Sequence, residues 1–142
     1  IDEQKISDFK VFLNNKVTNK NIEDSNYIRW IDMAVSVSGL NPDLYSQLQR
    51  AEPYGSGNPE PRFIIQNASI FGSKIVGENH INCSISDSTK ARINGIAFRS
   101  VGTKLGNALL NKNYFHVIGR FKLSNWNGAD RVQIFIEDLI EL

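Results

Sequence analysis

Few side chains in this 142-residue chain could support acid–base, nucleophilic or metal chemistry. The chain holds two histidines, His80 and His116, and one cysteine, Cys83. Metal-dependent hydrolysis needs several carboxylates and imidazoles that converge on a hard cation. Apart from Glu78 near His80, neither histidine has an acidic residue at local ligand spacing, and no Ser–His–Asp arrangement is indicated. We therefore predict no catalytic residue, no metal site and no self-sufficient enzyme.

The attraction of a polyanion is a better represented kind of chemistry. Residues 1–60 carry six Lys or Arg against nine Asp or Glu, whereas residues 61–142 carry ten against six. The contrast is greatest between residues 90 and 131, where the only acidic residue is Asp130. The basic residues of this stripe are Lys90, Arg92, Arg99, Lys104, Lys112, Arg120, Lys122 and Arg131. Such a stripe suits a nucleic acid, although a solvated basic face without a partner would look the same.

Single-stranded nucleic acid also needs aromatic faces on which its bases can stack. Tyr114 and Trp126 are the aromatic candidates, because Trp126 lies at a polar turn and is less easily buried. Trp126 could equally pack against a neighbouring domain. Phe71 and Phe98 are interpreted as core residues, as aromatic residues in strands usually are. The predicted DNA contacts are Lys90, Arg92, Arg99, Tyr114, Arg120, Lys122, Trp126 and Arg131.

The elements that must position these residues follow from hydrophobic spacing. The first part of the chain predicts a small helix–strand–helix segment, with a helix over 3–18, a strand over 27–37 and a short helix capped by Asn41. From residue 62 onwards, the pattern predicts three strands, a short helix and two strands. This order is typical of a mainly β OB-fold, a five-stranded barrel that binds oligonucleotides. The alternation in the third barrel strand slips at Gly95, which predicts a bulge or sharp bend.

Five of the nine residues from Pro53 to Pro61 are Gly or Pro. Gly55 and Gly57 permit positive φ, while Pro59 and Pro61 fix φ and lack an amide donor. Such a segment has few conformations to lose on folding. We interpret it as a rigid joint. A phosphate cradle made by the amides of Gly55 to Gly57 is the alternative.

Several of these stretches together resemble the C-terminal part of the RecJ family of bacterial exonucleases specific for single-stranded DNA. They are "LQRAEPYGSGNPEPRF", "ENHINCSISD", "INGIAF", "VIGRFKLSNWNG" and "VQIFIEDL". The most specific part is the Gly-Asn-Pro-Glu-Pro run within Glu52 to Phe63, and a second match is the Asn-x-Trp-x-Gly turn at Asn125 to Gly128. The resemblance covers essentially the whole chain.

The resemblance implies a division of the chain into three parts. Residues 1–50 would be the tail of the second catalytic lobe, called DHHA1, with a connector; residues 51–61 would be the joint; and residues 62–142 would be the OB-fold. The Asp-His-His and Gly-Gly-His motifs of the catalytic lobes do not occur in this sequence. Mg or Mn is therefore expected in lobes outside this chain, with no cofactor in the chain itself, and the chain alone is expected to be inactive.

The function implied by the resemblance is the gripping of single-stranded DNA for a 5′→3′ exonuclease of DNA repair and recombination. The alternative is a bracing or protein-interaction domain that closes the nuclease core or docks a single-strand-binding protein or a helicase. An exposed apolar patch around Trp126 or Ile118 would mark that alternative. The absence of a signal peptide or long apolar run, together with a lone cysteine, predicts a cytoplasmic location and no membrane partner. The first residue, Ile1, suggests a piece of a longer chain.

Overall fold

The computed structural model describes residues 29–142 apart from 112, 127 and 128, and gives the backbone alone for residues 125, 126, 129 and 130. The predicted helix over 3–18 and the Asn127–Gly128 turn lie outside the described residues, as does the Trp126 side chain. The described elements are β1 (Met33–Ala34), a 3₁₀ turn (Val37–Gly39), α1 (Pro42–Gln49), β2 (Phe63–Val76), β3 (His80–Ser86), β4 (Arg92–Ala97), α2 (Lys104–Asn111), β5 (Tyr114–Trp126) and β6 (Ala129–Glu141).

Strands β2 to β6 form a closed five-stranded barrel. The order of neighbours is β2-β3-β4-β6-β5, and β5 closes the barrel by pairing with β2. The β4–β6 pair is parallel and the other barrel pairs are antiparallel. This architecture, with α2 between the third and fourth barrel strands, confirms the predicted OB-fold.

The strand predicted over 27–37 is much shorter in the structure. Among the described residues 29–37, only Met33 and Ala34 pair, in parallel, with the start of β2. The strand cannot continue because the Ser36 hydroxyl accepts a hydrogen bond from the Gly39 amide and caps the 3₁₀ turn. Serine competes with regular structure in this way through its short polar side chain.

The core fills the barrel with every second side chain of its strands. Ile81, Cys83 and Ile85 alternate along β3 and are fully buried. Phe115 of β5 and Ile134 of β6 are also fully buried. Burying one such large side chain contributes roughly 1.5–3 kcal/mol.

The bulge predicted at Gly95 is wrong. The β3–β4 register runs without a shift from Ile81↔Ala97 to Ser86↔Arg92. Gly95 instead faces the core, where a Cβ would lie 2.7 Å from Ile85 Cδ1. Register shifts lie elsewhere in the barrel: in β2 against β3 between Phe71 and Lys74, in β2 against β5 between Ile65 and Ala68, and in the β5–β6 pair, where Glu137 of β6 is the extra residue opposite Ile118 and Gly119.

Helix α1 lies against the barrel where the joint begins. The Asn41 side chain accepts a hydrogen bond from the Leu44 amide at 2.9 Å, which confirms the predicted cap. Tyr45 packs edge-on against Phe121 of β5, with ring centroids 5.7 Å apart. The helix therefore packs against the barrel core next to Phe121 and holds the start of the joint there.

Candidate nucleic-acid interface

Cross-strand register brings the outward side chains of the barrel into rows. One row crosses all five strands: Phe71, Ser84, Asn94, Gln133 and Lys122. The next row also crosses all five: Lys74, Asn82, Ile96, Phe135 and Arg120. We call the outward side of β3, β4, β6 and β5 that carries these rows the outer face. Arg92, Arg120 and Lys122, which are far apart in sequence, therefore lie on one surface.

Arg92 and Phe71 form a cationic and aromatic pair at the start of β4. The Arg92 guanidinium carbon lies 4.9 Å from the centre of the Phe71 ring. Arg92 is exposed and Phe71 is half-buried. Stacking on the ring restrains the guanidinium while leaving its N–H donors open to solvent. The pair can therefore present donors to a phosphate beside an apolar surface.

Three aromatic rings form a ladder on the outer face near the other end of β4. Phe98 lies edge-on to His80, with centroids 5.1 Å apart, and edge-on to Phe135, at 5.0 Å. Phe98 is 49% exposed. The interpretation of Phe71 and Phe98 as core residues is therefore wrong, because both lie on outward positions of the barrel surface.

The orientation of the His80 ring is fixed by the turn after β4. His80 Nδ1 accepts a hydrogen bond from the Arg99 amide at 3.0 Å. This bond requires Nδ1 to be unprotonated, so the neutral ring carries its hydrogen on Nε2. Arg99 adopts a positive φ of 50° in this turn. Arg99 follows β4 rather than lying on the strand.

Arg120 and Lys122 face carboxylates rather than open solvent. Lys122 Nζ pairs with Glu60 Oε1, and Arg120 Nη1 lies 3.3 Å from Glu60 Oε2. Arg120 Nε also lies 2.7 Å from Glu137 Oε1. The other Glu137 oxygen lies 2.6 Å from Arg62 Nε. Two of the predicted DNA contacts thus belong to an ion-pair network with the joint and with β6.

The remaining predicted contacts are spread over the barrel. Arg131 precedes Gln133 by two residues, as Arg92 precedes Asn94, so both arginines lie at one end of the outer face. Lys90 is exposed in the turn just before β4.

Arg99 lies at the opposite end of β4, and Tyr114 lies away from the outer face. Tyr114 is 65% exposed and pairs with Ser69 of β2. Ser69 pairs with Ser86 of β3, and Ser86 pairs with Arg92 of β4, so Tyr114 lies three strands away from Arg92 along this row. The structure thus brings Arg92, Arg120, Lys122 and Arg131 onto one face, with Lys90 beside it.

The apolar patch that would mark a protein-interaction role is not present at Ile118. This residue is only 3% exposed. The other position named for that patch, Trp126, lies outside the described side chains.

The joint is held by hydrogen bonds at both ends. Asn58 Nδ2 donates to the Ala51 carbonyl at 2.7 Å, and the Gly55 amide donates to the Asn58 carbonyl at 2.9 Å. The Tyr54 hydroxyl donates to the Leu48 carbonyl of α1 at 2.6 Å. Neither Gly55 nor Gly57 has a positive φ. The use of these glycines for left-handed backbone was therefore wrongly predicted, and the Gly55 amide is not available to a phosphate.

The described residues offer little for catalysis. No three His, Cys, Asp or Glu residues among them are placed to hold a metal ion. Burial raises the pKa of the Cys83 thiol to about 12, so it is not a thiolate nucleophile near neutral pH. Within the part of the chain that the structure describes, no helix is long and apolar enough to cross a bilayer.

Sequence reasoning missed the aromatic ladder and the acidic partners of the stripe. Phe135 could have been found, because it lies between the inward Ile134 and Ile136 and so must point outward. Glu60 could not, because its contact with Lys122 joins residues that are distant in sequence.

Comparisons with known proteins agree with this fold. Residues 31–138 match the family described as "RecJ OB domain". The single-stranded-DNA-specific exonuclease RecJ of Bacillus subtilis (strain 168) is 18% identical over 128 residues, which cover 87% of this chain and 16% of that protein.

Two crystal structures of RecJ from Thermus thermophilus are also similar. The complex with Mn²⁺ has a TM-score of 0.61 at 23% identity and covers 79% of this chain. The complex with Mg²⁺ has a TM-score of 0.58 at 22% identity and covers 78%. In each case the match spans 16% of the RecJ chain. The present chain thus corresponds to a small part of these relatives, and the structural likeness is one of fold.

Proposed function

Because this chain belongs to the RecJ OB domain family, we propose that it is the single-stranded-DNA-binding module of a RecJ-type 5′→3′ exonuclease of DNA repair and recombination. In this proposal residues 62–142 grip the strand, residues 51–61 are the joint, and residues 1–50 belong to the connection with the catalytic lobes. Phosphodiester hydrolysis takes place in lobes outside this chain, where Mg or Mn activates water and stabilises charge on the phosphate.

The observation that carries the proposal is the combination of cations and aromatic rings on the outer face. The face includes β3 and β4, the second and third barrel strands, where OB-folds bind oligonucleotides. Arg92 lies over Phe71 at one end, and Phe98 lies between His80 and Phe135 at the other. A single strand needs both kinds of group, since its phosphates attract cations and its bases stack on rings.

The aromatic, cationic and amide side chains of the outer face have different roles in this proposal. Phe98 is half exposed and supported edge-on by two rings, so a base can stack on it with little loss of side-chain entropy. Lys90, Arg92 and Arg131 are exposed at the other end of the face and would pair with phosphates. The polar row through Asn94 and Gln133, whose amides lie 3.4 Å apart, would line the path between these two contacts.

The experiment is fluorescence anisotropy of the 142-residue chain with labelled oligo-dT of about 12 nucleotides, over about 50 to 200 mM salt. Phe98→Ala removes a stacking surface and should weaken binding by about 1–3 kcal/mol, with an unchanged salt slope. Arg92→Ala removes a phosphate contact and should reduce the slope of log K against log salt by about 0.7.

The matched control for Phe98→Ala is Trp30→Ala. Trp30 is 80% exposed and is not one of the rings of the ladder; it precedes β1, which pairs with β2. It should leave the affinity unchanged. Tyr114→Ala tests whether the bound strand also reaches the start of β5, beside β2, as the sequence predicts. No binding at low salt, or equal losses from Phe98→Ala and Trp30→Ala, would contradict the proposal.

A further inference from the structure

We propose that the Glu60 carboxylate occupies a phosphate-binding subsite formed by Lys122 and Arg120, and that a backbone phosphate of bound single-stranded DNA displaces it. This inference rests on the proposed function, because it concerns the same outer face. It adds a regulatory contact: the joint closes the end of the binding surface until nucleic acid opens it.

The geometry of Glu60 is that of an anion held between two cations. One carboxylate oxygen pairs with Lys122 Nζ and the other lies 3.3 Å from Arg120 Nη1. The Glu60 side chain is only 17% exposed, whereas the side chains of Arg120 and Lys122 are each 34% exposed. The carboxylate is therefore enclosed by its partners, which themselves keep contact with solvent.

The position of the subsite follows from the register of the barrel. Strand β2 begins to pair with β5 at Phe63↔Gly119. Arg120 and Lys122 lie beyond this point, so β2 itself does not cover that stretch of β5, and the joint that precedes β2 meets it. Lys122 also ends the row that runs from Phe71 across the outer face. A strand following the row would thus arrive at the carboxylate.

A phosphate can replace the carboxylate because both are anions with oxygen acceptors. Arg120 would keep its second partner, Glu137, during the exchange. Ion pairs with partly exposed partners are individually weak. A phosphate of a DNA strand that is already bound at Arg92 and Phe98 can therefore compete with the Glu60 carboxylate.

The exchange would also change how the joint is attached. Glu60 stands between Pro59 and Pro61, so its backbone has little freedom to follow the displaced side chain. The joint would then be held to the barrel without this ion pair while DNA is bound. Binding of DNA on the barrel is thereby coupled to the connection with residues 1–50.

The test compares Glu60→Gln with the wild-type chain in the same anisotropy titration. If Glu60 masks the subsite, the variant should bind oligo-dT about three- to tenfold more tightly at low salt. Its salt slope should be steeper by about 0.7 to 1.4, which corresponds to one or two additional phosphate contacts. Glu60→Asp keeps the charge on a shorter side chain and should give an intermediate slope. It keeps the test usable if Glu60→Gln does not fold.

Two further variants separate local masking from a general change in charge. Asp43→Asn also removes one negative charge, from an exposed position in the first turn of α1, and should leave the slope unchanged. Lys122→Gln should lower the affinity less in the wild-type chain, where the phosphate contact is gained at the expense of the Glu60 pair, than in Glu60→Gln, where it should remove about 0.7 of the slope.

The outcomes distinguish this inference from the proposed function. If the wild-type chain binds and Glu60→Gln has the same slope, Glu60 does not mask a phosphate site and the inference is wrong. An equal gain from Asp43→Asn would overturn it too. If neither chain binds oligo-dT at low salt, the proposed function itself fails.

Discussion

Replacement of Asp87 should weaken the attachment of the 3₁₀ turn and α1, which form the connector before the joint, to the barrel. Asp87 lies in the turn between β3 and β4, and its Oδ2 accepts a hydrogen bond from the Val37 amide at 2.7 Å. Its Oδ1 accepts from the Thr89 amide at 2.9 Å and from the Thr89 hydroxyl. One carboxylate therefore orders its own turn and also fixes the 3₁₀ turn that precedes α1.

The cost of Asp87→Ala can be estimated from these contacts. Val37 is 3% exposed, so its amide would lose its acceptor in a place where water has little access. A buried donor without a partner costs about 1–3 kcal/mol, and hydrogen bonds to a charged group are worth about 1.5–3 kcal/mol each. Because the Thr89 side is exposed to water, we expect a total loss of about 2–4 kcal/mol. Asp87→Asn should lose less, since one carbonyl oxygen remains.

Urea unfolding followed by circular dichroism measures this loss. For a slope of about 2 kcal/mol per molar urea, the midpoint should fall by about 1–2 M with an unchanged slope. Ser88→Ala, in the same turn and exposed, is the control and should shift the midpoint little. A loss below about 0.5 kcal/mol for Asp87→Ala would refute the assignment of Asp87 as the attachment point of the connector.

The pH dependence of the unfolding free energy is a second test of the same Asp87 hydrogen bonds. Burial raises the pKa of the Asp87 carboxyl, but hydrogen bonds from the Thr89 hydroxyl and the Val37 and Thr89 amides outweigh burial and hold the pKa below its ordinary value of 3.8. The stabilisation is therefore complete above that value and is lost as the pH falls through the lowered folded-state pKa. Asp87→Asn should lack this acid-dependent part, so the two unfolding free energies should converge at low pH.

Three further predictions concern single positions in the fold. Gly106→Ala should destabilise the chain by about 3 kcal/mol or more in the same urea assay, because the added Cβ would lie 1.9 Å from the Ser100 carbonyl oxygen. Gly55→Ala is its counterpart and should be neutral or stabilising by about 0.4–1 kcal/mol, since no atom lies within 4 Å of its added Cβ and its φ is not positive. Cys83, fully buried and with a pKa of about 12, should react with a thiol reagent at pH 8 in urea but not in the native chain.

The barrel strands were predictable because their pattern is local. Alternation along β3, β5 and β6 indicates which side chains enter the core, and Ile81, Cys83, Ile85, Phe115 and Ile134 are fully buried, whereas Leu123 and Val132 are only half-buried. The slip at Gly95 misled because an inward glycine looks like a break in the pattern. The space that a Cβ would need at Gly95 is filled by Ile85 of β3. This contact cannot be predicted from the sequence of β4 alone.

The connector and the site were less predictable because they depend on contacts between distant residues. The pairing of β1 is limited by the Ser36 cap and supported by Asp32, whose side chain accepts a hydrogen bond from the Arg62 amide at 2.8 Å. The outward direction of Arg120 and Lys122 was correctly predicted from alternation. Their ion pairs with Glu60 and Glu137 depend on how the barrel closes.

The basic stripe shows why a count of charges along the sequence is a weak guide to a binding surface. Between residues 90 and 131 the count gives eight cations and one acid, yet Glu60 and Glu137, which pair with two of the cations, lie outside this window. Coulomb attraction depends on distance in space. A cation that already has a carboxylate within 3.3 Å adds to DNA affinity only the difference in free energy between its pairing with a phosphate and its pairing with that carboxylate. Arg92 lies over a ring instead, and it is therefore expected to contribute more to binding than Arg120, although the two residues are indistinguishable in the count.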